Sequence, residues 1–175
     1  MTNPGTESTH QRRAAVLTVS DAGARGERED TAGPAVAALL REAGFEVGNV
    51  ELVPDEEDQI AAWLEAMADE DAVDIAVTTG GTGLSPRDRT PEATLGVIEY
   101  DVPGIAEGMR AAGRESTPLA MLSRAVAGVR GRTLILNLPG SERGARESLE
   151  AVIPVLGHVV DQLRLGAGHD PTPGA

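Results

Sequence analysis

Three short apolar runs constrain this chain more than any other feature: residues 14–19 (AAVLTV), 75–79 (IAVTT) and 133–138 (TLILNL). Nearly continuous hydrophobicity over so few residues reads as strands buried on both faces, the habit of a parallel sheet. A further strand is expected over 46–53, closed by Pro54. Between these runs the spacing turns helical. Helices are predicted over 31–43, with Gly44 as the stop, and over 56–67, where Ile60, Trp63, Leu64 and Met67 form a core stripe. Another opens at Thr90, taken as N-cap with Pro91 at the first position. Two more cover 103–112 and 142–165, the last capped by Ser141 and kinked at Pro154. Strands alternating with helices predict an α/β fold, a mostly parallel central sheet with helices on both faces. The 175 residues suit one domain, expected over 13–165, with tails at 1–12 and 166–175.

Composition narrows the chemistry. Aromatics make up only 2% of the chain, so the core is built from Ala, Val, Leu and Ile. There is no Cys, which removes thiolate nucleophiles, disulfides and Cys-ligated metal centres, and fits a reducing cytoplasmic location. The N-terminal residues lack the apolar core of a secretory signal, and no run of about 18 apolar residues is present, so no membrane association is expected. The net charge of −13 repels nucleic acid and anionic lipid. All 15 basic residues are Arg, which excludes a Schiff-base lysine and the lysine of a Walker phosphate loop.

In an open parallel sheet, ligands bind beyond the carboxyl ends of the strands. Four such ends carry unusual polar residues: Ser20-Asp21, Pro54-Asp55-Glu56, the segment 78–88, and 137–141. Gly80, Gly81, Thr82 and Gly83 follow a strand directly, so their N–H groups can approach an anion, ahead of the helix start at Thr90-Pro91. The plainer reading is a glycine turn with a solvated charged loop holding Arg87, Asp88 and Arg89. Asp55 reads as a turn or capping residue when taken alone; together with Asp88 it makes a carboxylate pair suited to Mg²⁺. Asp21 is a third rim carboxylate or a turn residue. Ser123-Arg124 is a polar pair among apolar neighbours, either a serine satisfied by backbone or an arginine awaiting an anion. His10, His158 and His169 all lie away from strand ends, which disfavours histidine catalysis. Chemistry that needs positioning and charge neutralisation remains, and phosphoryl or nucleotidyl transfer is of that kind.

The motifs VSD (19–21), VPDE (53–56), TTGGTGLSPRDRTPEAT (78–94), PGIAEGMR (103–110) and AMLSRAVAGVRGRTLILNLPGS (120–141) resemble those of the molybdopterin adenylyltransferase family of molybdenum cofactor biosynthesis. The resemblance runs over about residues 13–165. It implies a three-layer α/β/α fold, a homotrimer, and Mg²⁺-dependent transfer of AMP from ATP to the terminal phosphate of molybdopterin, with handover to a molybdenum-inserting enzyme. Asp55 and Asp88 match the family's essential acidic positions, implied to be catalytic and metal-binding. Gly80, Gly81, Thr82 and Gly83 match its ligand loop. Ser20, Asp21 and Ser123 match pocket positions, and Pro139, Gly140 and Ser141 the second ligand loop; Arg87 and Arg124 join the substrate-binding set. The chain departs from the pattern after Ser141, where relatives carry Pro and then Lys or Asn, and this sequence has Glu142-Arg143. An acidic Glu142 beside a phosphate site opposes nucleotide affinity. The competing reading is a molybdopterin-binding carrier or scaffold without catalysis.

Overall fold

The apolar runs form the centre of the sheet. In the computed structural model, which describes residues 11–70 and 73–166, they are β1 (Arg13–Val19), β4 (Ile75–Thr79) and β7 (Thr133–Leu138). Every residue of β4 and β7 is buried, as double coverage requires. Most of the two expected tails, with His10 and His169, lies outside the described residues.

Successive side chains in these strands enter opposite layers. Val16, Ile75, Val77, Leu134 and Leu136 join a core with residues of α2 (Ala32–Glu42), α5 (Pro103–Ser116) and α6 (Glu142–Gly166). Leu17, Ala76 and Ile135 join the opposite core, with Ile60, Trp63 and Leu64 of α3 (Glu57–Glu65) and Val97 of α4 (Thr90–Val97). The expected α/β/α sandwich is therefore present, and the Trp63 stripe is core. Trp63 also donates its indole N–H to Glu51 at 2.9 Å. A single π-helical segment, Ala66–Glu70, follows α3.

The edges differ from expectation. The strand predicted over 46–53 is two pieces, β2 (Glu46–Val47) and β3 (Glu51–Val53), both parallel to β1. Arg41 accounts for the break: its Nη2 donates to the carbonyls of Val47 and Gly48, each at 3.0 Å, and so draws the chain out of the ladder. On the other side an antiparallel flank was not foreseen. β5 (Tyr100–Asp101) pairs with β6 (Ala127–Arg130), which returns into β7 through Gly131 at φ 57°. The strand order is β2-β1-β4-β7-β6-β5, with β3 also on β1. Helix α6 continues through Pro154, and its start is capped by Ser141 Oγ, which accepts from the Gly144 N–H at 3.2 Å. Thr90 is not the N-cap of α4. Arg89 holds that position, and Thr90 is the first helical residue, wholly buried.

Candidate active site

Parallel registry levels the strand ends. Val19 pairs with Val53, Thr18 with Thr79, and Thr79 with Leu138, so the loops after β1, β3, β4 and β7 emerge side by side. Buried polar side chains lock this end. Asn137 donates to Thr78 Oγ1 at 3.0 Å and Thr94 Oγ1 at 2.8 Å, and its side-chain oxygen accepts from the Val126 N–H at 3.1 Å. Thr79 donates to the Pro139 carbonyl at 2.7 Å.

The turn after β4 has glycine where only glycine serves. Gly80 and Gly81 have φ 105° and 65°, a region L side chains rarely adopt. A Cβ on Gly80 would lie 2.1 Å from the Val19 carbonyl oxygen. Among the described residues, the N–H groups of Gly81, Thr82 and Gly83 donate to no protein acceptor. Successive unpaired amides in a left-handed turn make an anion cradle.

Two cavities meet at this turn. One of about 520 Å³ is lined by Thr82, Gly83, Ser123, Asn137 and Pro139. The other, about 590 Å³, is lined by Ser20, Asp55, Thr79, Gly80 and Glu142. Gly81, Asp88, Gly140 and Ser141 belong to both. The strand-end residues expected to form one site thus form the shared wall and flanks of two chambers.

The carboxylates are held by each other's backbone. The Asp21 N–H donates to Asp55 Oδ2 at 2.8 Å, and the Asp55 N–H donates to Asp21 Oδ1 at 3.0 Å. Arg87 completes the bracket with paired bonds to Asp21, both 3.0 Å, and one to Glu56 at 2.7 Å. These bonds from Arg87 hold Asp21 below the usual aspartate range. Asp55 is pushed the other way, first by burial and then by the negative charges of Asp21 and Asp88. Arg87, expected to bind substrate, is therefore committed to two carboxylates.

Arg124 is likewise committed. Its guanidinium donates to the carbonyls of Gly83 at 2.8 Å and Asp88 at 2.7 Å, and pairs with Glu92. It clamps the ligand loop from behind instead of presenting itself to a ligand. Ser123 Oγ accepts from the Ala125 N–H at 3.3 Å while lining the smaller cavity, so its hydroxyl proton is free for a ligand. Ser20 Oγ likewise accepts from the Gly23 N–H at 3.0 Å, capping the short helix α1 (Asp21–Ala24).

Two arginines escaped the sequence reading. Arg110 of α5 lines the smaller cavity and, among the described residues, donates to the carbonyls of Ser123 and Ala125 alone. Arg28, in the loop before α2, lines the larger one and has no ion pair among the described residues. Neither lies at a strand end; Arg110 stands in the PGIAEGMR block, where its chemistry had a signal that went unused. His158 is an exposed residue of α6, outside both cavities.

The donor set suits a hard cation sparingly held. No cluster of three or more metal-ligating side chains occurs among the described residues. Among the described residues, Asp55 Oδ1 receives no hydrogen bond, and Asp88 uses Oδ2 alone, on the Ser85 N–H at 2.9 Å. One or two carboxylates, with water and phosphate oxygens completing the shell, is how Mg²⁺ is commonly bound beside nucleotides.

Comparison with known proteins identifies the family. The sequence profile described as "Probable molybdopterin binding domain" matches residues 15–158. The molybdopterin biosynthesis enzyme MoaB from Thermus thermophilus superposes with a TM-score of 0.83 at 57% identity, over 87% of this chain and 96% of that one. Molybdopterin adenylyltransferase from Helicobacter pylori is 44% identical over 148 residues, 83% of this chain and 84% of the relative. The Escherichia coli protein of the same name is 39% identical over 151 residues, covering 85% and 77%. A profile matched over most of the length, and relatives matched over three quarters or more of their own, place this chain in the molybdopterin-binding domain family of molybdenum cofactor biosynthesis.

Proposed function

We propose that the protein is a molybdopterin adenylyltransferase, transferring AMP from ATP to molybdopterin with Mg²⁺ as the resident cation. The observation that carries this reading is the pair of cavities joined at Gly81, Asp88, Gly140 and Ser141. Two substrates that must react need adjoining chambers with a common anion-binding wall. A terminal phosphate oxygen of molybdopterin forms a bond to the α-phosphorus of ATP, the α–β bridging bond breaks, and pyrophosphate leaves with the electron pair.

The chain's own groups act by position and charge. The free amides of Gly81, Thr82 and Gly83 orient phosphate oxygens and stabilise charge as it develops. Ser123, Ser20 and Ser141 offer hydroxyl protons, and Arg110 and Arg28 bring positive charge to their respective cavities. Asp55 and Asp88 are the residues that would hold Mg²⁺, which when bound neutralises phosphate charge. Asp21 and Arg87 fix the Asp55 backbone and carboxylate.

The acidic Glu142 lining the larger cavity favours a second reading, a molybdopterin carrier with little nucleotide turnover. The experiment that separates the two mixes purified protein with molybdopterin, ATP and Mg²⁺ and follows adenylylated molybdopterin and pyrophosphate. Both products, absent without Mg²⁺ and with Asp88→Ala, establish the transferase; molybdopterin binding without either product establishes the carrier. A homotrimer, handover to a molybdenum-inserting enzyme and a cytoplasmic location belong to the same proposal and rest on the family resemblance. No helix among the described residues is long and apolar enough to cross a membrane. Sedimentation analysis tests the trimer.

A further inference from the structure

The larger cavity is acidic to a degree that an anionic occupant has to overcome. Glu29, Asp30, Asp55, Asp88 and Glu142 line it, and among the described residues Arg28 is the one basic side chain on its wall. Three of the five carboxylates are engaged by the protein. Asp30 accepts from the Thr18 hydroxyl at 2.6 Å and the Gly33 N–H at 3.0 Å, Asp55 from the Asp21 N–H, and Asp88 from the Ser85 N–H. Glu29 and Glu142 have no side-chain partner among the described residues.

Of these two, Glu142 stands closer to the chemistry. It follows directly on Gly140 and Ser141, which belong to the wall both cavities share, and it is the residue at which the chain departs from the family pattern. The neighbouring arginine does not cancel its charge. Arg143 turns to Glu147 at 2.8 Å, one helical turn on, and Arg146 pairs with Glu150 at 3.6 Å. As the first residue of α6, Glu142 also suits the positive end of the helix dipole, a contribution to stability that involves no ligand. Its charge nevertheless acts on any anion that reaches the shared wall. Coulomb repulsion scales with the charge of that anion. Mg²⁺ on a polyphosphate cancels part of it and adds a cation for the carboxylate to attract.

We propose that Glu142 is a specificity-determining residue of the larger cavity, which discriminates against metal-free polyphosphate and so makes nucleotide binding conditional on the divalent cation. The inference deepens the adenylyltransferase reading and rests on it. The coupling is reciprocal: whatever Glu142 adds to the effect of the cation on nucleotide affinity, it adds equally to the effect of the nucleotide on cation affinity.

The test uses the whole protein with Glu142→Gln, which removes the charge at constant shape, and Glu142→Asp, which keeps it. Glu42→Gln, at an exposed position of α2 outside both cavities, changes the net charge equally and serves as the control. Thermal melts first establish that each variant folds. Titration calorimetry then uses pyrophosphate alone, ATP alone, and ATP with Mg²⁺. Glu142→Gln is expected to bind pyrophosphate and metal-free ATP on the order of fivefold more tightly than the parent, and ATP with Mg²⁺ by less than about twofold. The gap should narrow as salt is raised. Glu142→Asp and Glu42→Gln are expected to stay close to the parent. No gain without Mg²⁺, an equal gain with and without it, or a gain matched by Glu42→Gln overturns the inference and leaves Glu142 as a helix-end residue only. If neither the parent nor Glu142→Gln binds any of the three ligands, the transferase reading falls and this inference with it. Nucleotide binding by the parent without formation of adenylylated molybdopterin overturns the transferase reading alone.

Discussion

The two ends of the same strands are built on opposite rules. At the amino end, polar groups are matched. Asp74 Oδ2 accepts from the Arg13 N–H at 2.7 Å, while Oδ1 accepts two bonds from Arg164 at 2.9 and 2.5 Å. Thr133 donates to the Val73 carbonyl at 2.5 Å. At the carboxyl end, three successive amides and one buried hydroxyl stand without partners among the described residues, two glycines are left-handed, and Asp55 is burdened by burial and neighbouring negative charge. The lesson is a division of labour. The amino end satisfies its own groups and contributes stability, while the carboxyl end, beside its locked Asn137 network and the Asp21–Asp55 bracket, keeps a few amides unsatisfied, which the proposed function assigns to a ligand.

That contrast can be broken most forcefully at the carboxyl end. Asp88→Ala is expected to lower kcat/KM about a hundredfold to a thousandfold, the range for losing one preorganised electrostatic contact. Its unfolding free energy should fall by less than about 1 kcal/mol, since the residue gives up one exposed bond, to the Ser85 N–H. Urea melts and initial rates together check both halves. A large stability loss would mean that this end also holds the fold.

The mirror experiment is Asp74→Ala. It strips Arg164 of its carboxylate at a pair only 8% and 24% exposed, and should cost about 3 kcal/mol while leaving activity per folded molecule intact. Activity that fell in proportion to more than the unfolded fraction would show the two ends to be coupled.

A third prediction uses pH. The folded-state pKa of Asp55 is raised, so between its ordinary and raised values the folded protein binds more protons than the unfolded one. Stability from this group therefore falls as pH rises through that window, while activity, which needs the carboxylate, rises. The acid limb of the kcat/KM profile should have its midpoint above the ordinary aspartate value of about 3.9. Asp21→Asn removes one of the raising charges and should move that midpoint down; an unmoved limb would exclude Asp55 as the titrating group. The smallest effect is expected from Arg12→Ala at the amino end. Its bridge to Asp161 is 36% and 54% exposed, and thermal melts should register less than about 1 kcal/mol.

How much was legible in the sequence follows the same physical lines. β1, β4 and β7 announced themselves because double burial forces continuous apolar runs. β5 is two residues long and β6 four, too short for a pattern, and their pairing is decided by β7 and the turn at Gly131. The break between β2 and β3 depends on where Arg41 reaches, a tertiary matter. In the site, the glycine turn and Asp88 lay in one contiguous block, while Asp21 and Asp55 stood at two other strand ends and were joined to it only by the rule that ligands bind beyond those ends. Arg124 was harder, because two of its partners are backbone carbonyls, which carry no residue signature. Thr90 looked like a helix cap by local rules, but Arg89 holds that position and Thr90 is the first helical residue, packed against Gly81.

The mutual bonds between Asp21 and Asp55 also bear on how the chain tolerates changes of length. Asp55 follows a strand of only three residues, preceded by an unpaired stretch at Gly48, Asn49 and Val50. Its location is fixed by what it grips on the neighbouring strand end, so the count of residues leading up to it is free to vary. Insertions or deletions between β2 and β3 should be absorbed there as slack, with the carboxylate delivered to the same place.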